Sequence, residues 1–287
     1  MSAACAGIIL CEGNENGLDC LLLRKILGDQ IRIVPVGSRF GMKHRVDTVR
    51  KILHQPVFAI LDRDFPQNWE SPKNSPVVWR GLENGSETLF GWFWERKELE
   101  NYLLDPTVIK MILSDSNLGE NGYDAALKAA GDAIGGYQAA RIALSVLGRS
   151  GQYYVPSTFG TKRGSDEHYR FPDGDSLKET ACSAWLREIN ADYRQSHSKR
   201  FELLPELFQR YKLECLPGGE RYRDFLNAFS GKDIGWYLDA WFQNNGFKGT
   251  RHFFACMKRG IENSDIDLAT ILPEWAELKH AVQTVLT

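Results

Sequence analysis

Three short apolar runs separated by two segments of helical period constrain this chain more than any other feature. Gly7–Cys11 (GIILC) is closed by Glu12, and Ile31–Val36 (IRIVPV) and Val57–Leu61 (VFAIL) are similar runs. Runs of five or six residues without regular polar alternation suit strands buried on both faces of a sheet. Asp19–Leu27 (DCLLLRKIL) suits a helix packed on that sheet, and Lys43–Leu53 sets Val46, Val49, Ile52 and Leu53 on one helical face. Two successive right-handed crossovers imply a parallel sheet, so the sequence predicts an α/β fold flanked by helices.

After Asp64 the stretch FPQNWESPKNSP reads as an exposed, mobile loop, and Leu89–Trp94 (LFGWFW) as a fourth strand packed in the core. From Glu95 onward helical patterns dominate: Tyr123–Ile134, Ala139–Leu147, Leu177–Asp192, Phe201–Tyr211, Tyr222–Phe229, Ile234–Phe242 and Trp275–Val285. Gly148–Asp175, rich in Gly, Ser and Pro, reads as a long loop or linker. A chain of 287 residues with 43% hydrophobic content suffices for one large domain or two small ones. No apolar stretch is long enough to span a bilayer, and the N-terminal run lacks the basic flank of a secretory signal, so a cytoplasmic protein is expected. Six scattered cysteines without a CxxC pair speak for buried thiols rather than disulfides or structural zinc. A net charge of -2 excludes a uniformly basic nucleic-acid coat and leaves room for a local basic cleft.

Ligands of open parallel sheets bind beyond the carboxyl ends of the strands. Here Glu12 closes the first strand, and Asp62 and Asp64 close the third in AILDRDF. Alternation places residues i and i+2 on one side, so Asp62 and Asp64 can share an ion if the extended backbone continues, while Arg63 points elsewhere. Mg²⁺ takes oxygen ligands and needs only one or two direct carboxylates, with water and substrate phosphate completing its shell. Such ions activate water and stabilise a leaving oxygen in phosphodiester cleavage, with no need for a Ser or Cys nucleophile. A single acid after a strand more commonly caps a turn; the joint arrangement of all three favours a metal site.

The segments IILCEGNENGLDCLLLRKIL, IVPVGS and FAILDRD resemble the Glu-Gly, Gly and Asp-x-Asp pattern of the topoisomerase–primase (Toprim) family. RKELENYLLDP at Arg96–Pro106 is similar to the acidic fourth motif of the Toprim branch related to overcoming-lysogenization-defect nucleases. That branch includes single-Toprim effectors of anti-phage systems, the PARIS type among them. The resemblance covers about the first hundred residues. It implies a Toprim catalytic domain over residues 1–105 and a helical domain over 106–287 for substrate, dimer or partner contacts. It also implies a Mg²⁺- or Mn²⁺-dependent endonuclease with Glu12 as metal ligand or general base and Asp62 and Asp64 as metal ligands. Glu98 and Glu100 are the fourth-motif candidates for metal; they share a face if extended and diverge in a helix, so only one would reach the site if the helix has already begun there. The implied partners are a nucleic acid substrate, either DNA or RNA such as tRNA, an ATPase protein that restrains or triggers a toxic effector, and a second copy in an active homodimer.

Ser38, Arg39, Lys43, His44 and Arg45 follow the second strand, and Lys43, beside Gly41, is the first choice for stabilising charge on a phosphate; a solvated helix start is the other reading. FSGKD at Phe229–Asp233 lacks the glycine spacing and the Ser or Thr of a P-loop and reads as a helix start, with Lys232 a possible nucleic-acid contact. His168, His197 and His252 have no metal spacing. Two other functions remain open: a phosphatase or phosphotransferase with Asp62 as nucleophile, against which Glu12 precedes the Asp-x-Asp motif, and a non-catalytic docking subunit.

Overall fold

In the computed structural model, β1 (Gly7–Cys11) lies between β2 (Ile31–Pro35) and β3 (Val57–Leu61), all parallel. The model describes residues 6–83, 85–113, 118, 122–149, 174–175, 177–196 and 202–286. β4 (Val77–Glu83) and β5 (Ser86–Phe93) form a hairpin that joins through β5, parallel to β3, giving a five-stranded sheet in the order β2-β1-β3-β5-β4. β4 alone runs antiparallel, and the sequence reading missed it. Its signal was Asn84-Gly85 between two apolar runs, the dipeptide that closes tight hairpins; Gly85 has φ 82°.

The pleat sorts the core. Ile8, Leu10, Val57, Ala59 and Leu61 face Met42 and Val46 of α2 (Met42–Leu53), with Phe90 from β5 completing the cluster. On the other face Cys11 meets Cys20 of α1 (Leu18–Leu27), their sulfurs 3.5 Å apart. Burial, the largest cause, pushes both thiols up, so they pack as small hydrophobes. Phe90, Trp92 and Trp94 are buried, as expected for a core strand. Gly91 is required where it stands: at φ 146° a Cβ would lie 1.8 Å from the Ala59 carbonyl oxygen. Two short helices follow, α3 (Glu100–Leu103) and α4 (Pro106–Ile112), the second capped by Asp105 accepting from Thr107 N at 2.8 Å.

The chain forms two compact units, Met1–Arg63, Pro72–Asn117 and His252–Thr287 in one, Asp64–Ser71 and Leu118–Arg251 in the other. In the second unit α5 is one helix, Tyr123–Arg149, where two were expected. Its Gly135 allows close approach, since a Cβ there would be 2.5 Å from the Cys215 carbonyl oxygen. α6 (Glu179–Ser196) and α7 (Leu204–Cys215) are followed by short helices α8 (Glu220–Arg223), α9 (Phe225–Ala228), α10 (Gly231–Tyr237) and α11 (Asp239–Asn244). FSGKD caps α10: the Ser230 side chain accepts from Asp233 N. Asp233, fully buried, accepts from Gln138 Nε2 at 2.6 Å and pairs with Arg141.

The stretch FPQNWESPKNSP is a largely exposed loop, as expected, and its first half is anchored within the second unit. Arg221, wholly buried, donates to the Pro66 and Gln67 carbonyls at 2.6 and 3.2 Å while holding Glu214 at 2.6 Å. Trp69 Nε1 donates to Asp224 at 3.2 Å.

α12 (Thr250–Asn263) ends in the sheet unit, and α13 (Pro273–Leu286) lies wholly within it. Lys25 of α1 donates to the Ser264 carbonyl at 2.8 Å, and a Cβ on Gly7 would meet Leu286. The expected linker Gly148–Asp175 falls mostly outside the described residues. Among the described residues no helix is long and apolar enough to cross a membrane.

Candidate functional site

β1 and β3 are in register with Cys11 opposite Ile60, so Glu12 and Asp62 leave adjacent strands at the same carboxyl edge. The backbone around Glu12 is fixed on both sides: Val36 N donates to the Cys11 carbonyl at 2.9 Å, and Gly13 and Gly37 exchange hydrogen bonds at 2.9 and 3.1 Å. Gly13 sits at φ 83°, which explains the glycine after Glu12. Beside β3, Trp94 N donates to the Leu61 carbonyl at 2.9 Å and carries β5 to the same edge.

Glu12 is half-buried, and its Oε1 is shielded from solvent without a hydrogen-bond partner among the described residues. Asp62 is half-buried too, with a solvent-shielded Oδ1. An orphaned, buried carboxylate oxygen is costly unless something else satisfies it, so a divalent cation fits the donor set of this edge. The carboxylates do not form a ready cage: among the described residues no three His, Cys, Asp or Glu side chains converge as a metal-holding group. Residues 62–66 carry no regular secondary structure, so the extended backbone that would align Asp62 with Asp64 stops at Leu61. Asp64 is the first residue of the segment grouped with the second unit.

The cations after β2 are engaged as follows. Lys43 commits its ammonium to the Leu82 carbonyl at 2.8 Å and to the face of Phe90 at 4.9 Å. Arg39 is the cation at Asp62, its Nη1 3.4 Å from the Asp62 carbonyl and its guanidinium 6.0 Å from the Phe93 ring. Arg45 holds the Val36 and Ser38 carbonyls and so shapes the loop on which Arg39 sits.

The fourth-motif acids follow β5. Glu98 is buried in the bend before α3, its carboxylate 3.9 Å from Lys97 Nζ, and Glu100 is the half-buried first residue of α3. The helix starting at Glu100 separates their directions.

Two acids were missed. Glu95, 6% exposed, accepts on its carboxylate from the backbone N–H of Lys73 and, at 2.9 Å, of Asn74. Its own N–H donates to Glu274 Oε1 of α13 at 2.7 Å. Glu274, 4% exposed, also accepts from the Tyr102 hydroxyl at 2.5 Å, and burial is the main cause that pushes its carboxyl up to about 7. Burial, followed by the Glu274 charge, also raises the Tyr102 phenol. Glu95 was visible in principle, as an acid closing the run LFGWFW just as Glu12 and Asp62 close theirs. Glu274 carried no such signal.

His252 sits 3.7 Å from the Cys256 sulfur, whereas His168 and His197 fall outside the described residues. No family model and no curated protein matches the chain.

Proposed function

We propose that this chain is a Mg²⁺- or Mn²⁺-dependent Toprim-type endonuclease cleaving DNA or RNA at the carboxyl edge of its sheet. The observation that carries the reading is the solvent-shielded Oε1 of Glu12, without a hydrogen-bond partner among the described residues, just after β1 and next to the strand that Asp62 follows. Glu12 and Asp62 would hold the ion, with one of Glu98 and Glu100 as a further carboxylate. When bound, the ion supplies Lewis-acid stabilisation of charge developing on the phosphate. Lys43, or Arg39 whose guanidinium donates to the Asp62 carbonyl, would pair with a phosphate oxygen. If Glu12 is instead the general base, its Oε1, without a donor among the described residues, would accept a proton from an attacking water.

The Toprim resemblance extends the proposal to an effector of anti-phage defence of the AriB type, toxic when active as a homodimer and governed by an ATPase partner. The test is cleavage of plasmid DNA and total tRNA by purified protein in Mg²⁺ or Mn²⁺, with Glu12→Ala and Asp62→Ala beside the wild type. Metal-dependent cutting lost in both variants supports the site and identifies the substrate. Absence of cutting, with an ATPase partner and its trigger supplied, refutes it; a trapped phospho-aspartate at Asp62 would assign phosphotransfer instead.

A further inference from the structure

Arg63 separates the two aspartates, and its Nη1 donates to the Glu95 carbonyl at 3.1 Å. Glu95 is therefore engaged from three directions: its carbonyl by Arg63, its N–H by Glu274 of α13, and its carboxylate by the successive N–H groups of Lys73 and Asn74. Both carboxylate oxygens accept backbone N–H groups, so Glu95 is poorly suited to bind a cation although it ends a strand as Glu12 does. A carboxylate closing on two consecutive amides makes a strong, charge-assisted anchor. Tyr102, wedged between Trp94 and Trp275 with ring centroids 5.4 and 5.7 Å away, holds the other oxygen of Glu274 and makes the support rigid.

We infer that Arg63, Glu95 and Glu274 form a latch that fixes the peptide carrying Asp62, making them positioning residues for the proposed metal site. The inference rests on the nuclease reading above. The link between Asp62 and the C-terminal helix is short, running from Arg63 to Glu95 to Glu274. Without it, the irregular backbone after Leu61 loses a tie to β5, and the ordering of Asp62 must be supplied when the ion binds. Partners that orient metal ligands from behind typically contribute roughly ten- to a hundredfold in metal affinity.

Arg63 is half-buried and lies outside regular secondary structure, so its replacement leaves the core intact. The experiment compares wild type, Arg63→Ala and Arg63→Lys by hydrogen exchange at Leu61–Asp64 and by calorimetric titration with Mn²⁺, with circular dichroism as the folding control. Arg63→Ala is expected to speed exchange and to weaken Mn²⁺ binding about tenfold or more. Arg63→Lys, which keeps a donor for the Glu95 carbonyl, is expected to recover most of both. Unchanged exchange in a folded Arg63→Ala protein overturns the latch. Faster exchange with undiminished Mn²⁺ affinity overturns its positioning role. A wild type that binds no Mn²⁺ removes the metal reading itself, and the positioning role with it, whatever the exchange shows.

Discussion

Replacing Glu274 by Gln should change how stability depends on pH. The folded protein holds the Glu274 carboxyl at about 7 against an ordinary 4.5, with desolvation as the main cause. A separation of about 2.5 between folded and unfolded states corresponds to about 3 kcal/mol. Because the folded value is raised, the native state retains a proton that the unfolded chain releases. This contribution is intact below about pH 4.5 and is lost as pH rises through about 7. Gln resembles the protonated acid: its carbonyl oxygen accepts the Glu95 N–H, and its amide meets the Tyr102 hydroxyl oxygen. The altered bond to Tyr102 costs about 1 kcal/mol at every pH and leaves the slope untouched. Urea unfolding of both proteins at intervals from about pH 4.5 to 8 gives the difference directly, since all other groups cancel. The variant should gain about 3 kcal/mol on the wild type across that range. Parallel profiles would refute the reasoning, showing that Glu274 is ionised without penalty in the fold.

Glu12→Gln removes charge from an unsatisfied buried oxygen and should stabilise the protein in chelator by about 1 kcal/mol, while abolishing any rise in melting temperature caused by Mn²⁺; calorimetry with and without the ion checks both. Gly91→Ala sets a Cβ 1.8 Å from the Ala59 carbonyl oxygen and should cost about 4 kcal/mol or prevent folding, read as soluble yield and urea midpoint. Asp233→Ala removes the carboxylate shared by Gln138 and Arg141 and should cost about 3–5 kcal/mol in urea unfolding. Arg221→Met frees the Pro66 and Gln67 carbonyls and should expose residues 66–69 to limited proteolysis, with an unchanged cleavage pattern counting against the pinning.

The parallel core of the sheet was legible because buried strands leave continuous apolar runs, and the acids closing those runs were legible for the same reason. β4 was not, since its alternating half-exposed residues follow a Pro- and Ser-rich stretch that reads as loop. The anchoring of the loop after Asp64 was not legible because its anchors are remote: Arg221 is more than a hundred residues away, and no local pattern announces a buried guanidinium reaching for two backbone carbonyls. The same limit applies to Glu274, whose partners Glu95 and Tyr102 lie far back in the chain. Lys43 and Arg39 show where spacing stops being informative. Both follow β2, but only the folded path of the loop decides that one cation meets the hairpin and the other Asp62.

Glu12 and Glu95 both follow strands at one edge of this sheet, and their environments differ. Both oxygens of Glu95 meet amide donors, so a strand-end carboxylate at this edge can be fully satisfied by the protein. Glu12 stands on a backbone held just as firmly, between the Cys11 carbonyl bond and the Gly13–Gly37 bridge, yet its Oε1 is buried without a donor. Leaving such a group unmet costs about 1–3 kcal/mol, a substantial fraction of a typical domain's net stability. Packing offers no return for that cost, since neither the turn at Gly13 nor the pairing of β1 needs a carboxylate at position 12. A cation does need one, and so does a proton leaving an attacking water. The local rule that buried acids are satisfied therefore holds at Glu95 and fails at Glu12, and the failure lies at the carboxyl edge where open sheets place their ligands.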